Sequence, residues 1–250
     1  MNVQNANLVV VAILSITKAF AETKVEDVSV TEFQALVTQN NGIILDVRTP
    51  DEVAQGHIAG ASILNIYDED FERKLNLMQK NKPVYVYCRS GGRSSRAAQI
   101  MGENGFSEVY NLEGGIGAWN RANLPTLKPH AESVNKAPGI SLADFKKELR
   151  NNDRVLTDFQ TEWCAPCKQM APIIDELEDE VSDRARILRI DVDASPELAI
   201  AYSIEGVPVF ILFENGKETW RHSGVISKEA LEAKLLKRPR TITTGAPWLR

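Results

Sequence analysis

The sequence predicts an α/β fold divided into two domains, within a chain of 250 residues. Short apolar runs alternate with segments of helical periodicity in both halves, which is typical of parallel sheets flanked by helices. Between the halves, residues 128–138 combine Pro, Ser, Lys and Glu with little apolar periodicity, which predicts a linker. A hydrophobic content of 43% is enough for two small cores.

The first unit is predicted over residues 25–127. Ser29 and Glu32 have the spacing of a capping box at the start of a helix. Thr49, Pro50 and Glu52 suit the N-cap, first and third positions of a second helix. Continuous apolar runs predict strands that are buried on both faces. The expected strands are 42–47, 83–88 and 107–112, and a helix is expected over 94–105, closed by glycine.

The second unit is predicted over residues 139–238 and is no sequence repeat of the first. Pro172 lies inside one of its helices, and Asn215-Gly216 predicts a tight turn. The expected order is helix 142–152, strand 154–159, helix 167–181, strand 186–193, helix 195–203, strand 207–217 and helix 227–237. The tail, residues 239–250, has no assignable pattern.

The N-terminus differs from the rest of the chain. Residues 8–16 are an unbroken apolar run, and Ala19-Phe20-Ala21 has small residues where a signal peptidase reads. The run is shorter than the roughly 20 residues that span a bilayer, so no stable membrane span is expected. We therefore expect residues 1–21 to be a signal peptide and the protein to be periplasmic or secreted. The alternative is a core strand or helix in a cytoplasmic protein.

Charge and cysteine content limit the function classes. A net charge of −5 without a basic block gives no basis for nucleic-acid binding. Three cysteines are too few for a disulfide scaffold, and one remains if two pair. The odd number points to reactive thiols.

Cys88 ends a predicted strand and is followed by a cationic turn that leads into a helix. In a parallel sheet, ligands bind at the carboxyl ends of the strands, and a helix N-terminus presents free N–H groups to an anion. Such a turn would lower the pKa of the thiol and could hold a thiolate or a bound anion. The alternative is a buried structural cysteine. The turn comprises Arg89, Ser90, Gly91, Gly92 and Arg93.

Three segments, 45–66, 84–98 and 111–126, resemble the signature segments of a single-domain rhodanese, in the family's order. The resemblance implies a rhodanese-like parallel sheet with flanking helices. It also implies that Cys88 takes sulfur from a thiosulfate-like donor as a persulfide, with the turn binding the donor. Related phosphatases have Cys-x5-Arg, whereas Arg93 closes a Cys-x4-Arg loop here, which makes phosphatase or arsenate reductase activity the weaker alternative. Asp46, Arg48 and His57 match family positions, and we expect them to hold loops to the sheet. Trp119 is expected in the core.

Cys164 and Cys167 are separated by Ala-Pro, after a strand and at the start of a helix. The helix N-terminus favours a thiolate on the first cysteine, and the second lies one turn further, close enough to form a disulfide. A zinc site would need two more ligands, and no second Cys pair or His pair follows. We therefore expect no metal and no cofactor.

Residues 139–238 resemble a thioredoxin, with a buried acid at Asp158 and Trp163 before the cysteine pair. The resemblance implies a thioredoxin fold with a cis Val207–Pro208 bond, and Val207 pairs with a bound substrate chain. It also implies that Cys164 attacks a target disulfide and that Cys167, deprotonated with help from Asp158, resolves the mixed disulfide.

Three positions depart from the usual thioredoxin pattern. Ala165 replaces the usual Gly between the cysteines, Gln160 replaces a Trp, and Arg189 replaces a Lys near the acid. Both the residues between the cysteines and the charge near the acid tune thiolate stability. The sequence therefore leaves open whether the domain reduces or oxidises its targets.

Together these observations predict a sulfurtransferase coupled to a thiol-disulfide oxidoreductase. The expected partners are a sulfane-sulfur donor such as thiosulfate, protein disulfides or persulfides, and an electron-donating thiol. Two alternatives stay open: a first unit that only binds or senses a partner, and a general disulfide relay that uses both cysteine sites.

Overall fold

A computed structural model describes residues 23–128 and 139–236. The expected signal peptide, nearly all of the linker and the C-terminal tail lie outside these residues. No helix of the two described segments is long and apolar enough to cross a membrane. The bounds expected for the two domains stay predictions.

A five-stranded, fully parallel sheet forms the first unit, in the order β1-β5-β4-β2-β3. Its central strands are buried on both faces, as their apolar runs predict. The strands are β1 (Lys24–Val28), β2 (Ile43–Asp46), β3 (Ala61–Ile63), β4 (Val84–Tyr87) and β5 (Glu108–Leu112). The helices are α1 (Val30–Thr38), α2 (Pro50–Ala54), α3 (Phe71–Leu75), α4 (Gly92–Glu103) and α5 (Gly115–Arg121).

Both predicted helix starts of the first unit are present. The Glu32 N–H donates to Ser29 Oγ at 3.3 Å, and the Thr49 N–H donates to the Glu52 carboxylate at 3.3 Å. The helix expected from Ser94 begins two residues earlier, at Gly92, so the turn after Cys88 is shorter than the sequence predicts. Because Gly91 adopts a φ of 100°, the chain can enter the helix directly from the strand.

A four-stranded mixed sheet forms the second unit, in the order β7-β6-β8-β9. β6 and β7 are parallel, whereas β8 is antiparallel to both of its neighbours. The strands are β6 (Arg154–Gln160), β7 (Arg186–Asp191), β8 (Val209–Glu214) and β9 (Lys217–Ser223). The helices are α6 (Leu142–Asn151), α7 (Ala165–Val181), α8 (Pro196–Ala201) and α9 (Lys228–Leu236).

The cysteine pair lies at the start of the longest of these helices. α7 begins at Ala165, two residues before the start that the sequence predicts, and contains Pro172. Asn215 and Gly216 both have positive φ and form the predicted turn between β8 and β9. The Val207–Pro208 bond that precedes β8 is cis.

Candidate active sites

The Cys88 thiol is held by backbone N–H groups at the carboxyl end of β4. Its Sγ accepts a hydrogen bond from the Gly91 N–H at 3.2 Å, and the residue is only 1% exposed. Burial by itself would raise the pKa of the thiol. The Ser94 hydroxyl, which donates to the Gly91 C=O at 3.0 Å, and the backbone N–H groups of Ser94, Ser90 and Gly91 lie close enough to the sulfur to outweigh burial and lower the pKa of Cys88. The site therefore favours a thiolate.

A second loop closes over the backbone of this turn. The Ile116 N–H donates to the Cys88 C=O at 2.8 Å, and the Gly117 N–H donates to the Arg89 C=O at 3.1 Å. A Cβ on Gly115 would lie 2.3 Å from the Cys88 carbonyl oxygen, so only glycine allows this approach. The first turn of α5 thus holds the backbone that carries the thiol.

The two arginines of the turn have different surroundings. Arg93 donates two hydrogen bonds of 2.7 Å to the carboxylate of Glu52, and its guanidinium lies 5.8 Å from the Tyr67 ring centroid. These hydrogen bonds from Arg93 lower the pKa of Glu52 to about 2. Arg93 therefore adds little net positive charge to the turn, because the Glu52 carboxylate of α2 pairs with it.

Arg89 is the exposed arginine of the turn, and Ser90 and Gly92 are exposed with it. Arg89 lines a cavity of about 400 Å³ together with Arg48 and Asn120. Glu52 also lines this cavity, and the Arg48 guanidinium pairs with Asp46, so Arg89 is the arginine that an anionic donor there would meet. The binding roles expected for the turn residues stay predictions.

Asp46 and Arg48 act as the sequence predicts, by holding loops to the sheet. The Arg48 guanidinium pairs with the buried Asp46 carboxylate at 2.6 Å and donates to the Gly56 C=O at 2.8 Å. His57 contributes through its backbone, which forms two hydrogen bonds of 2.8 Å with Leu127. Its ring Nδ1 is buried and has no hydrogen-bond partner among residues 23–128 and 139–236. Trp119 is buried in the core, as expected.

The other two cysteines form a disulfide at the start of α7. The Cα atoms of Cys164 and Cys167 lie 5.2 Å apart, and each residue is 2% exposed. The Cys167 N–H donates to Cys164 Sγ at 3.1 Å. The N-terminus of α7 therefore meets Cys164, as the sequence predicts.

Asp158 lies on β6 and is buried. Burial raises the pKa of its carboxyl to about 7, although the positive charge of Arg189 opposes this shift. Arg189 is beside Asp158 in the β6–β7 register, but its guanidinium pairs with Asp175. Asp158 Oδ1 has no hydrogen-bond partner within the described part of the chain. The acid can therefore gain or lose a proton near neutral pH.

Trp163 and Val207 of the predicted second site are in contact with the first unit, whereas the Pro208 C=O accepts a hydrogen bond from the Gly224 N–H within the second unit. Trp163 packs against both the core that contains Cys164 and the core that contains Cys88. The Val207 N–H donates to the Leu77 C=O at 2.9 Å. No local pattern in the sequence points to Leu77, because its contact with Val207 spans 130 residues and depends on how the units pack.

The cysteine-bearing turn of the first unit takes no part in the hydrogen bonds described between the units. The hydrogen bonds that residues 88–94 form in the described segments all stay within the first unit. The structure thus places the two cysteine sites in adjoining units without a hydrogen bond between them. The catalytic roles of Cys88, Cys164, Cys167 and Asp158 stay predictions.

This fold and these sites define a two-domain thiol protein with one free cysteine and one redox disulfide. A family model described as "Rhodanese-like domain" matches residues 29–122, and a model described as "Thioredoxin" matches residues 138–237. The chain belongs to the thioredoxin family and carries a rhodanese-like domain fused in front of the thioredoxin domain. The fold class and the two resemblances are therefore confirmed.

Curated relatives support the second assignment. A thioredoxin of Rickettsia felis is 36% identical over 96 residues, which are 38% of this chain and 91% of the relative. A thioredoxin of Acidithiobacillus ferridurans is 41% identical over 87 residues, 35% of this chain and 81% of the relative. Oxidised mitochondrial thioredoxin 3 of Saccharomyces cerevisiae is a similar solved structure, with 30% identity and a TM-score of 0.37, covering 39% of this chain and 92% of that one. The two curated relatives, each covered over more than two thirds of its length, support a disulfide oxidoreductase.

Replacing Ser94 with Ala should raise the pKa of Cys88, because the variant lacks the hydroxyl group whose polarity beside the sulfur favours the thiolate. Alkylation of Cys88 at pH 7 should slow several-fold, measured by mass spectrometry across a pH series with the Cys164–Cys167 disulfide intact. Ser95→Ala is the matched control, one position along α4, and should leave the profile unchanged. Identical profiles for all three proteins would contradict this account of the cradle.

Asp158→Asn should stabilise the thioredoxin domain more at pH 8 than at pH 5. The folded-state pKa of about 7 is above the ordinary value of about 3.9, so the wild type loses stability as pH rises from about 4 to 7. Asn does not titrate. The difference in free energy of unfolding should grow by about 2–3 kcal/mol between these pH values, measured by urea denaturation. A difference independent of pH would show that Asp158 ionises normally.

Proposed function

We propose that this protein is a sulfurtransferase that forms a persulfide on Cys88 and a thiol-disulfide oxidoreductase that uses Cys164 and Cys167. The observation that carries the proposal is the buried Cys88 thiol, free of any disulfide and held by N–H groups that lower its pKa. A purely structural cysteine would need no such cradle.

The first half-reaction is a displacement at sulfur. The Cys88 thiolate attacks the outer sulfur of a thiosulfate-like donor, the donor's sulfur–sulfur bond breaks, and sulfite leaves with the bonding electron pair. Arg89, exposed and beside the 400 Å³ cavity, supplies positive charge for the anionic donor. Because Arg93 is neutralised by Glu52, the N–H groups of the turn are the main stabilisers of negative charge on the sulfur.

The second site exchanges dithiol for disulfide. In the reduced form, the Cys164 thiolate attacks a target disulfide, and Cys167 then attacks Cys164 Sγ to release the reduced target. Asp158, with a pKa of about 7, can accept the proton of Cys167 at neutral pH. The products are a reduced target and the Cys164–Cys167 disulfide.

Coupling of the two sites follows from their chemistry. The reduced Cys164 attacks the outer sulfur of the Cys88 persulfide, and Cys88 leaves as thiolate. Cys167 then displaces hydrosulfide from Cys164 and closes the disulfide, so the dithiol supplies both electrons. The packing of Trp163 against the core that contains Cys88 supports this coupling. Both sulfurs are buried, so the transfer requires the two units to rearrange.

An external thiol partner must reduce the disulfide after each turnover. We propose that this occurs in the periplasm or outside the cell, on the basis of the apolar N-terminal run and the Ala19-Phe20-Ala21 sequence. In a cytoplasmic protein the same cycle would draw on the cytosolic thiol pool.

Thiosulfate and cyanide should give thiocyanate with the wild-type protein, and Cys88→Ser should lower the rate by several orders of magnitude because the nucleophile is lost. Cys164→Ser is the matched control and should retain the rate. A wild-type protein that forms no thiocyanate would favour the alternative in which the rhodanese-like domain only binds or senses a partner.

Sulfide release should require both sites. Protein that has been reduced and freed of reductant should yield about one sulfide per chain when thiosulfate is added, since one dithiol supplies two electrons. Cys88→Ser and Cys164→Ser should yield none, and Cys167→Ser should retain the sulfur on Cys164. Undiminished release from Cys164→Ser would contradict the coupling.

Export should leave a mature chain that begins near residue 22, because signal peptidase cleaves after small residues. Mass spectrometry of the protein recovered from the periplasmic fraction of the producing bacterium gives the N-terminal residue. A chain that retains its first 21 residues in the cytoplasmic fraction would instead indicate the cytoplasmic alternative.

A further inference from the structure

The rhodanese-like domain covers the face of the thioredoxin domain that surrounds Cys164. The contacts come from residues 62–79, which run from β3 through α3 and are called the covering segment below. Cys164 is 2% exposed and Val207 is 3% exposed in this arrangement. Access to the disulfide therefore depends on the covering segment.

The first contact occupies the backbone of the residue before the cis proline. The Leu77 C=O accepts a hydrogen bond from the Val207 N–H at 2.9 Å, and Gln79 Nε2 donates to the Val207 C=O at 3.5 Å. Both polar backbone groups of Val207 are thus taken by the covering segment. An extended peptide that docks by main-chain hydrogen bonds would need the same groups.

The second contact occupies the backbone around Cys164. Ser62 Oγ accepts from the Ala165 N–H at 3.0 Å, and the Ile63 N–H donates to the Trp163 C=O at 3.3 Å. These hydrogen bonds lie immediately before and after the first cysteine. The covering segment therefore contacts the site on the Cys164 side and on the Val207 side.

Charge and packing hold the two contacts in place. Arg73 pairs with Asp193 at 2.9 Å, and Asp193 also accepts from Trp163 Nε1 at 2.8 Å. Leu77 packs against the core that contains Cys164 and Val207. A Cβ on Gly206 would lie 3.3 Å from the Gln79 backbone, so glycine permits a close approach at this point.

We propose that the covering segment is a built-in occupant of the protein-binding face of the thioredoxin domain. A protein disulfide reaches Cys164 only after the rhodanese-like domain moves away, and Leu77 and Gln79 hold the position that the substrate chain would take. This inference rests on the disulfide exchange proposed above and concerns access to that site. It does not depend on persulfide formation at Cys88.

The test uses two separate variants of the full chain. Arg73→Glu places a second negative charge beside Asp193, and Leu77→Ala shortens the apolar contact. Glu72→Lys is the matched control, a charge reversal at the exposed neighbouring position of α3. Far-UV circular dichroism checks that each variant is folded. Backbone hydrogen exchange is followed in peptides that contain Val207 and Ala165, and insulin reduction is followed with a small thiol as electron source.

Both substitutions should speed hydrogen exchange at Val207 and Ala165. They should also raise the rate of insulin reduction about tenfold, because a site that is open about a tenth of the time in the wild type would then be open nearly all of the time. Glu72→Lys should match the wild type. Fast exchange already in the wild type, or faster exchange without faster insulin reduction, would overturn the proposal. If neither the wild type nor any variant reduces even a small aromatic disulfide, the proposed thiol-disulfide oxidoreductase activity is wrong. The hydrogen-exchange rates then still decide whether the face around Cys164 is covered.

Discussion

Both sites share one kind of hydrogen bond. In each, the cysteine sulfur accepts a hydrogen bond from the backbone N–H of the residue three positions further along the chain. Cys88 Sγ accepts from Gly91 at 3.2 Å, and Cys164 Sγ accepts from Cys167 at 3.1 Å. In each domain the cysteine leaves the sheet and the next residues begin a helix, so free N–H groups meet the sulfur. At Cys88, Gly91 and Gly115 allow the chain to reach this geometry.

The same geometry supports different chemistry because the surroundings of the two sulfurs differ. Cys88 stands alone in its domain, with Arg93 neutralised by Glu52, so a sulfur accepted there has no thiol beside it to displace it. Cys164 has Cys167 one turn away and a titratable acid, Asp158, on the adjoining strand. One site is therefore suited to hold sulfur and the other to exchange disulfides.

The sequence was sufficient where the determinants are local. The capping residues Ser29 and Thr49 could be predicted from spacing alone, and the helix after Cys88 was misplaced by only two residues. The burial of Asp158 and the cis bond before Pro208 were predictable through family resemblance. The partner of Arg93 and the contact of Leu77 with Val207 were not, because each joins residues far apart in the chain and depends on tertiary packing. The local signals therefore identified the candidate cysteines but not the residues that pack against or pair with their surroundings.

The central claim is that Cys88 carries sulfur, and intact-mass spectrometry of the reduced chain treated with a small excess of thiosulfate tests it most directly. With Cys164 and Cys167 both replaced by Ser, so that sulfur cannot be passed on, the account predicts a mass gain of one sulfur atom. Peptide mapping should place that atom on Cys88, and a reducing thiol should remove it. An unchanged mass, or a gain that persists in Cys88→Ser, would contradict the account.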